Sequence, residues 1–233
     1  MKSLFSLKSF SFAFDNKSPR FFDNVSLEVT VPGLTFVQGK NGAGKSTLFR
    51  LLQGMVGRHE QVHGIVEVRG HQYNLELAGD RQRLHRKSMI LHQSFDSMLA
   101  PSFTGFENLQ FAKFDENPGL TVVLLDPQIS DFAAQFALPL EKPVYQLSGG
   151  QRQMLAMLMI TQKSLDLLFL DEPTAALDHK NSDYLMQGIE QLVQDTGISV
   201  LCVSHDQDIV RNYARSIIEI TQSLSGSRLF TVK

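Results

Sequence analysis

An α/β fold with a mostly parallel core sheet is predicted by three features of the chain. An apolar run, Leu34 to Val37, passes directly into the glycine-rich stretch Gly39-Lys40-Asn41-Gly42-Ala43-Gly44-Lys45-Ser46-Thr47, inside which a helical pattern begins. A second continuous apolar run, Leu167 to Leu170, ends in Asp171 and is followed by a helical pattern and a third run, Ile198 to Val203. Such unbroken runs suit parallel strands covered on both faces, and their alternation with helices points to crossover connections. Between the first and second runs the chain turns helical from Phe106 to Thr161, as expected of a helical subdomain inserted at about residues 94–161 of a single domain spanning 1–233.

In chain order, Phe10, Phe12 and Phe14 alternate with small residues, the period of a half-buried strand, until Asp15-Asn16-Lys17-Ser18-Pro19 makes a turn. A strand over Phe22 to Val29 pairs with it, giving an antiparallel N-terminal β subdomain. Pro32-Gly33 turns the chain into the strand that feeds the glycine-rich stretch. Leu48, Leu51 and Leu52 then give the next helix its buried face, and Gly54 offers a stop. Further strands are expected over Val62 to Gly70 and Ser88 to Leu91. Arg81, Arg83, Arg86 and Lys87 between them read as a solvated helix face or, alternatively, a contact for a ligand or partner. In the helical stretch, Phe106, Leu109 and Phe111 fall in one helix and Phe132, Phe136 and Leu138 in another, broken by Pro118-Gly119 and Pro139. Leu185, Ile189, Leu192 and Val193 mark a later helix that ends near Gly197. Ile217 to Ile220 and Leu229 to Val232 suggest a terminal hairpin.

A chain of 233 residues buries about 70% of the surface its unfolded form exposes, so no staple is needed. The formal net charge of −2 argues against a general affinity for nucleic acid or anionic lipid. The single cysteine, Cys202, lies in an apolar run and has no internal partner, which fits a reducing, cytoplasmic compartment. Met1 to Phe5 lacks a signal-peptide core, and no apolar span approaches 20 residues. If the protein works at a membrane, something else anchors it.

Gly39 to Thr47 has the composition of a phosphate cradle. Glycines let consecutive N–H groups turn inward, and the following helix aims its positive end at the same point. Lys45 would reach the terminal phosphates, and the Ser46 hydroxyl would complete a magnesium shell resting on phosphate oxygens. Asp171, at the end of its apolar run, would sit at the strand edge where that magnesium is needed; Glu172, one residue on, could orient or deprotonate a water attacking the γ-phosphate. Thr121 to Leu125 is also an apolar run ending in an aspartate, Asp126, but it lacks the adjacent glutamate and lies in the helical insertion. Ser148-Gly149-Gly150-Gln151 opens another helix and makes a second anion site.

The phosphate loop, Leu147 to Gln151, Asp171-Glu172-Pro173 after its apolar run, and Ser204-His205-Asp206, in this order and spacing, resemble the nucleotide-binding subunit of ABC transporters along nearly the whole chain. The resemblance implies the ABC ATPase fold, a P-loop NTPase, with ATP and Mg2+ as cofactors. It implies that an aromatic at Phe14 stacks on adenine, that Gln93 touches magnesium and senses a membrane partner, that His205 contacts the γ-phosphate, and that Asp178 lies at an interface between two copies. Catalytic roles fall to Glu172, His205 and Lys45. Metal contacts fall to Ser46, Gln93 and Asp171. The implied partners are a second copy or a homologous ATPase subunit, an integral membrane permease and, for importers, a substrate-binding protein, with no nucleic acid. The implied location is the cytoplasmic face of the inner or plasma membrane.

The chain departs from the family pattern at Met154, at Met157 to Ile160 and at Ala175, none of which removes a phosphate, metal or water ligand. Ala100 to Thr104 and the apolar helix after Gln151 resemble an importer-type branch associated with amino-acid uptake. The alternatives are a non-transport ABC ATPase serving a membrane-bound regulator or a nucleic-acid process, and a nucleotide switch without turnover.

Overall fold

In a computed structural model, the chain is described over residues 4–91, 95–113, 127–135, 137–175, 177–222 and 228–233. It packs as two compact units: Met1–Leu91 with Leu165–Pro173 and Gly197–Lys233, and His92–Ser164 with Thr174–Thr196.

Among its described residues, the first unit holds a ten-stranded sheet and three helices. Its strands are β1 (Phe5–Ala13), β2 (Phe22–Val29), β3 (Leu34–Gln38), β4 (Gln61–Val68), β5 (His71–Asn74), β6 (Ser88–Leu91), β7 (Leu167–Asp171), β8 (Ser199–Val203), β9 (Ala214–Gln222) and β10 (Arg228–Val232). The spatial order is β5-β4-β1-β2-β10-β9-β3-β8-β7-β6. The last five run parallel, and β5, β4, β1 and β2 are antiparallel. Strand β10 joins the two sets, antiparallel to β9 and parallel to β2 where Arg228 faces Phe22. The predicted strands at Ser88 to Leu91 and Leu167 to Leu170 and the terminal hairpin are all present. The polar segment His71–Asn74 carries no strand pattern, and long-range pairing with β4 makes it one.

Helix α1 (Lys45–Leu52) follows β3 and buries Leu48, Phe49, Leu51 and Leu52, each worth roughly 1.5–3 kcal/mol of gross transfer free energy. Phe49 meets Phe169 of β7 at 4.8 Å, and the same cluster takes in Phe10, Phe12 and Phe22, so the antiparallel and parallel strands share one core. The helix stops where the sequence offers a stop. Gly54 adopts φ 73°, its N–H bonds Leu51 O (2.9 Å) and the Met55 N–H bonds Arg50 O (3.1 Å), the paired bonds of a Schellman end. Helices α2 (Ala78–Arg86) and α7 (Gln207–Tyr213) complete this unit. The α2 arginines lie outward: Leu84 is the helix's buried residue, Arg81 bonds the Leu75 and Glu76 carbonyls, and Arg83 stacks on Tyr73.

The second unit contains α3 (Gly105–Lys113), α4 (Pro127–Gln135), α5 (Gly149–Thr161) and α6 (His179–Thr196), with 3-10 turns at Phe95–Met98 and Val144–Gln146. Helix α3 begins with a capping box. The Thr104 N–H and hydroxyl both donate to Glu107 Oε2 at 2.7 Å, and the Glu107 N–H returns to Thr104 Oγ1. The α3 face expected from Phe106, Leu109 and Phe111 is rotated: Leu109, Asn108 and Ala112 are buried, whereas Phe111 is exposed and rests edge-on against Phe103. Buried Asn108 causes this. It accepts from the Ala100 N–H and donates to the Ala100 and Thr104 carbonyls, so the preceding loop is stitched to a polar side chain that must face inward. Helix α6 buries Leu185, Ile189, Leu192 and Val193, the spacing seen in the sequence. Phe136, the Phe132 side chain and the Asp126 run lie outside the described residues.

Candidate functional site

Four buried residues, Leu34 to Val37, hold β3 in the sheet and deliver the chain into the glycine-rich loop. The loop tightens through a bond from the Ala43 N–H to Lys40 O (3.0 Å) and enters α1 at Gly44, whose φ of 106° suits glycine alone. A Cβ at Gly44 would lie 2.5 Å from the Phe21 ring and 3.0 Å from Phe22, so close approach as well as backbone angle demands glycine. Helix α1 has no side-chain cap, and the first N–H to bond back along it is that of Leu48, to Gly44 O (2.8 Å). The N–H groups of its first turn therefore point into the loop concavity, an anion-binding arrangement. Lys45 arches over the loop and donates to Gly39 O at 2.7 Å, with Lys40 O at 3.5 Å.

Two neighbouring parallel strands bring the acidic groups to the same place. Asp171 ends β7 opposite Val203, the end of β8. Glu172 follows in the left-handed region, φ 55°, a conformation costing a non-glycine residue on the order of 1 kcal/mol or more. Its N–H bonds Val203 O at 2.9 Å, and its Oε2 accepts from the His205 N–H at 3.2 Å. Its Oε1 is buried, lies 3.5 Å from His205 Nε2 and has no hydrogen-bond partner among the described residues. The local field is negative: burial first, then the Glu172 and Asp171 carboxylates, push the buried Cys202 thiol well above its ordinary range.

These groups line one cavity of about 310 Å³: Asn41, Gly42 and Gly44 to Thr47 from the loop, Asp171 and Glu172, Val203, His205, and Phe21. Lys45, Ser46, Asp171, Glu172 and His205, separate in sequence, thus meet. Gly39, Lys40 and Ala43 shape the loop without lining the cavity. Phe14 lies past the end of β1, 45% exposed and edge-on to Phe12 and Phe21, outside the lining. Phe21 was missed from sequence. Its signal is the doublet Phe21-Phe22: alternation at the start of β2 sends Phe22 into the core and leaves its neighbour on the loop side. Gln93 lies outside the described residues.

In the second unit, Ser148 caps α5 through a capping box. Its Oγ accepts from the Gln151 N–H (3.2 Å), and Gln151 Oε1 accepts from the Ser148 N–H (3.0 Å). Ser148 and Gly149 are exposed, and a Cβ on Gly149 would meet nothing within 4 Å, so this helix end is open to a ligand. Asp178 accepts from both the N–H and the side-chain amide of Asn181 and so caps α6.

The family model described as ABC transporter matches residues 22–175. The chain is 29% identical over 201 residues to the lipoprotein-releasing system ATP-binding protein LolD of Xylella fastidiosa, covering 86% of this chain and 82% of that protein. Its fold resembles that of cbiO1 from Clostridium perfringens, part of the ABC transporter complex cbiONQ, with TM-score 0.78 and 20% identity over 98% of this chain and 88% of that one. It also resembles the ATP-binding cassette MJ0796, solved as a dimer in a post-hydrolysis state bound to ADP and Pi, with TM-score 0.64 and 22% identity over 92% and 93% of the two chains. The matched model spans most of the chain and includes the phosphate loop and both carboxylates, and on that ground the chain belongs to the ABC transporter family, as its ATP-binding, ATP-hydrolysing cassette.

Proposed function

We infer that the cavity between the phosphate loop and Glu172 is one half of an ATP-hydrolysing site whose other half is Ser148 to Gln151 of a second copy, and that turnover drives a separate membrane permease. The observation that carries this is Glu172: its backbone is held in a costly conformation and one buried carboxylate oxygen is left without a hydrogen bond, in the same cavity as Lys45 and the open end of α1. A water bound there would satisfy that oxygen.

Loop N–H groups and Lys45, shifted from Gly39 O, hold the phosphates. Glu172 Oε1 orients the water and takes up its proton as the water oxygen attacks the γ-phosphorus. The bond to the β–γ bridging oxygen breaks, and ADP leaves with its electron pair. His205, 69% exposed at its side chain, is free to turn from Glu172 toward the γ-phosphate. Its backbone N–H keeps the Glu172 carboxylate in place meanwhile. Ser46 and Asp171 line the same cavity, and the described residues contain no group of three His, Cys, Asp or Glu side chains suited to a metal. A hydroxyl and a carboxylate are hard oxygen donors that suit a magnesium ion, so Ser46 and Asp171 would hold one together with phosphate oxygens, where it would neutralise developing charge. Positioning and electrostatics do most of the work.

The exposed end of α5 supports the two-copy site, because its outward first-turn N–H groups, beyond the one held by Ser148, make a place where a phosphate presented by another molecule is favoured. No helix among the described residues is long and apolar enough to cross a membrane. LolD and cbiO1, named as parts of a releasing system and a transporter complex, support the pairing with a permease. Phosphate release from Mg-ATP by the purified chain, alone and with its permease, tests the reading: Lys45→Ala abolishes turnover, and undiminished release by that variant contradicts it.

A further inference from the structure

Helix α5 carries an uncommon charge at its open end. Helices gain from acidic residues in the first turn, and α5 has none there; its fourth residue is Arg152, a cation where the helix dipole is already positive. The side chain turns back toward the start of the helix. Its Nη1 donates to Leu147 O at 3.2 Å, so the guanidinium lies against the residue that precedes Ser148. The balancing charge comes from another segment. Asp96, in the 3-10 turn Phe95–Met98 of the same unit, places Oδ1 3.0 Å from Arg152 Nε. Phe95 and Leu99, both buried, anchor that turn. Arg152 Nε is itself buried and forms no hydrogen bond among the described residues, so what joins the two side chains is charge. Asp96 keeps 68% of its side chain exposed, and an ion pair of that kind adds little to folding. Its effect lies elsewhere: an anion beside Arg152 lowers the positive potential that the α5 end offers to a phosphate.

We propose that Arg152 and Asp96 set how tightly the α5 end takes the phosphates presented by a second copy: Arg152 adds positive field at Ser148 to Gln151, and Asp96 is the counter-ion that holds this gain in check. This rests on the two-copy site. Neither side chain is assigned a contact with the nucleotide; both act through the field at the helix end. With Asp96 in place the pair is close to neutral. With its carboxylate neutralised or drawn away, one whole positive charge is left beside the site. Asp96 lies 52 residues before Ser148 in the chain, so the strength of this half-site is adjustable from a segment outside it.

The test measures association driven by Mg-ATP in the full-length Glu172→Gln chain, where turnover does not deplete the nucleotide. Sedimentation over a range of chain concentrations gives the dissociation constant, and melting curves confirm folding. Asp96→Asn tightens the dimer by roughly two- to fifteen-fold per site, as expected of one charge about 10 Å from the anion at effective dielectric constants between about 80 and 20. Arg152→Gln leaves Asp96 unopposed and weakens the dimer by a similar factor. Combining the two substitutions restores neutrality and returns the constant to within about two-fold of the parent, a coupling that a merely structural contact does not give. Arg152→Lys keeps the charge and stays near the parent. The shifts shrink as salt is raised, because the screening length falls from about 10 Å at 0.1 M to about 3 Å at 1 M. An Asp96→Asn chain that associates no more tightly than the parent, or a double variant as weak as Arg152→Gln, overturns the proposal while leaving the two-copy site standing. If the Glu172→Gln parent does not associate on ATP at all, the two-copy site falls and the proposal with it.

Discussion

Replacing Ser148 by aspartate separates the two roles of that residue. Ser148 caps α5 by accepting the Gln151 N–H, and aspartate accepts the same bond about equally well. A carboxylate at a helix N-terminus also gains roughly 0.3–1 kcal/mol from the helix dipole. The melting temperature should therefore stay within about 2 °C of the wild type, at the roughly 2–4 °C per kcal/mol expected for a chain of this size. Turnover should behave differently. If Ser148 faces the γ-phosphate held by another copy, the new charge lies about 4 Å from an anion, which costs about 4 kcal/mol at an effective dielectric of 20. That corresponds to a loss on the order of a thousand-fold in turnover. Ser148→Ala is the control: it removes the cap at about 1 kcal/mol, and against a stability of about 5–15 kcal/mol the chain remains essentially all folded. The assay pairs calorimetric melting with steady-state phosphate release. Wild-type turnover by a normally melting Ser148→Asp would confine Ser148 to its capping role and refute the two-copy site.

Three further outcomes are expected. Gly54→Ala must accept φ 73° and place its Cβ 2.3 Å from the Arg81 carbonyl oxygen, a backbone atom; strain and overpacking together should cost about 2–4 kcal/mol and roughly 5–15 °C in melting temperature. Burial pushes the Glu60 carboxyl up, but the paired 2.7 Å bonds from Arg50 and the Gly57 N–H outweigh it and hold the group below its ordinary 4.5. A depressed folded value gives stability that is present above pH 4.5 and is lost as pH falls through that lower value. Glu60→Gln should thus lower the urea midpoint at pH 7 by the equivalent of about 1 kcal/mol, and the gap should close as both proteins are acidified below that point. Asp171→Asn should cut turnover by at least about a hundred-fold and raise the magnesium concentration needed for half-maximal rate; an unchanged magnesium requirement would remove Asp171 from the metal site.

What the sequence revealed followed from local signals. The runs Leu34 to Val37, Leu167 to Leu170 and Ile198 to Val203 are parallel strands because nothing but a doubly covered position suits them, and Gly54 ends α1 through a backbone angle that glycine accepts without cost. The phosphate loop, Asp171 and Glu172 stand out in the sequence because each sits directly beside such a run, whereas His205 is singled out only by the family resemblance. Hidden features depended on distant pairing. Strand β5 exists only by bonding β4, the outward turn of Phe111 follows from Asn108 bonding a loop, and the place of Phe21 beside Gly44 needs β2 and β3 folded together. Buried Asp166 is of the same kind: it draws Arg69, His71 and Tyr73 from a distant hairpin, and burial followed by the Asp166 charge pushes the Tyr73 hydroxyl up to about 12. No spacing along the chain announces that contact.

The central claim is that two copies close on ATP and that Glu172 then activates water. Sedimentation of Glu172→Gln with and without Mg-ATP measures it most directly. The buried Oε1 becomes part of an amide that cannot take a proton, so hydrolysis should fall by about 10²–10⁴-fold while ATP still binds. The account predicts a monomer without nucleotide and a stable dimer with ATP, reverting to monomer with ADP. A Glu172→Gln chain that stays monomeric at saturating ATP, or that hydrolyses ATP at the wild-type rate, contradicts it.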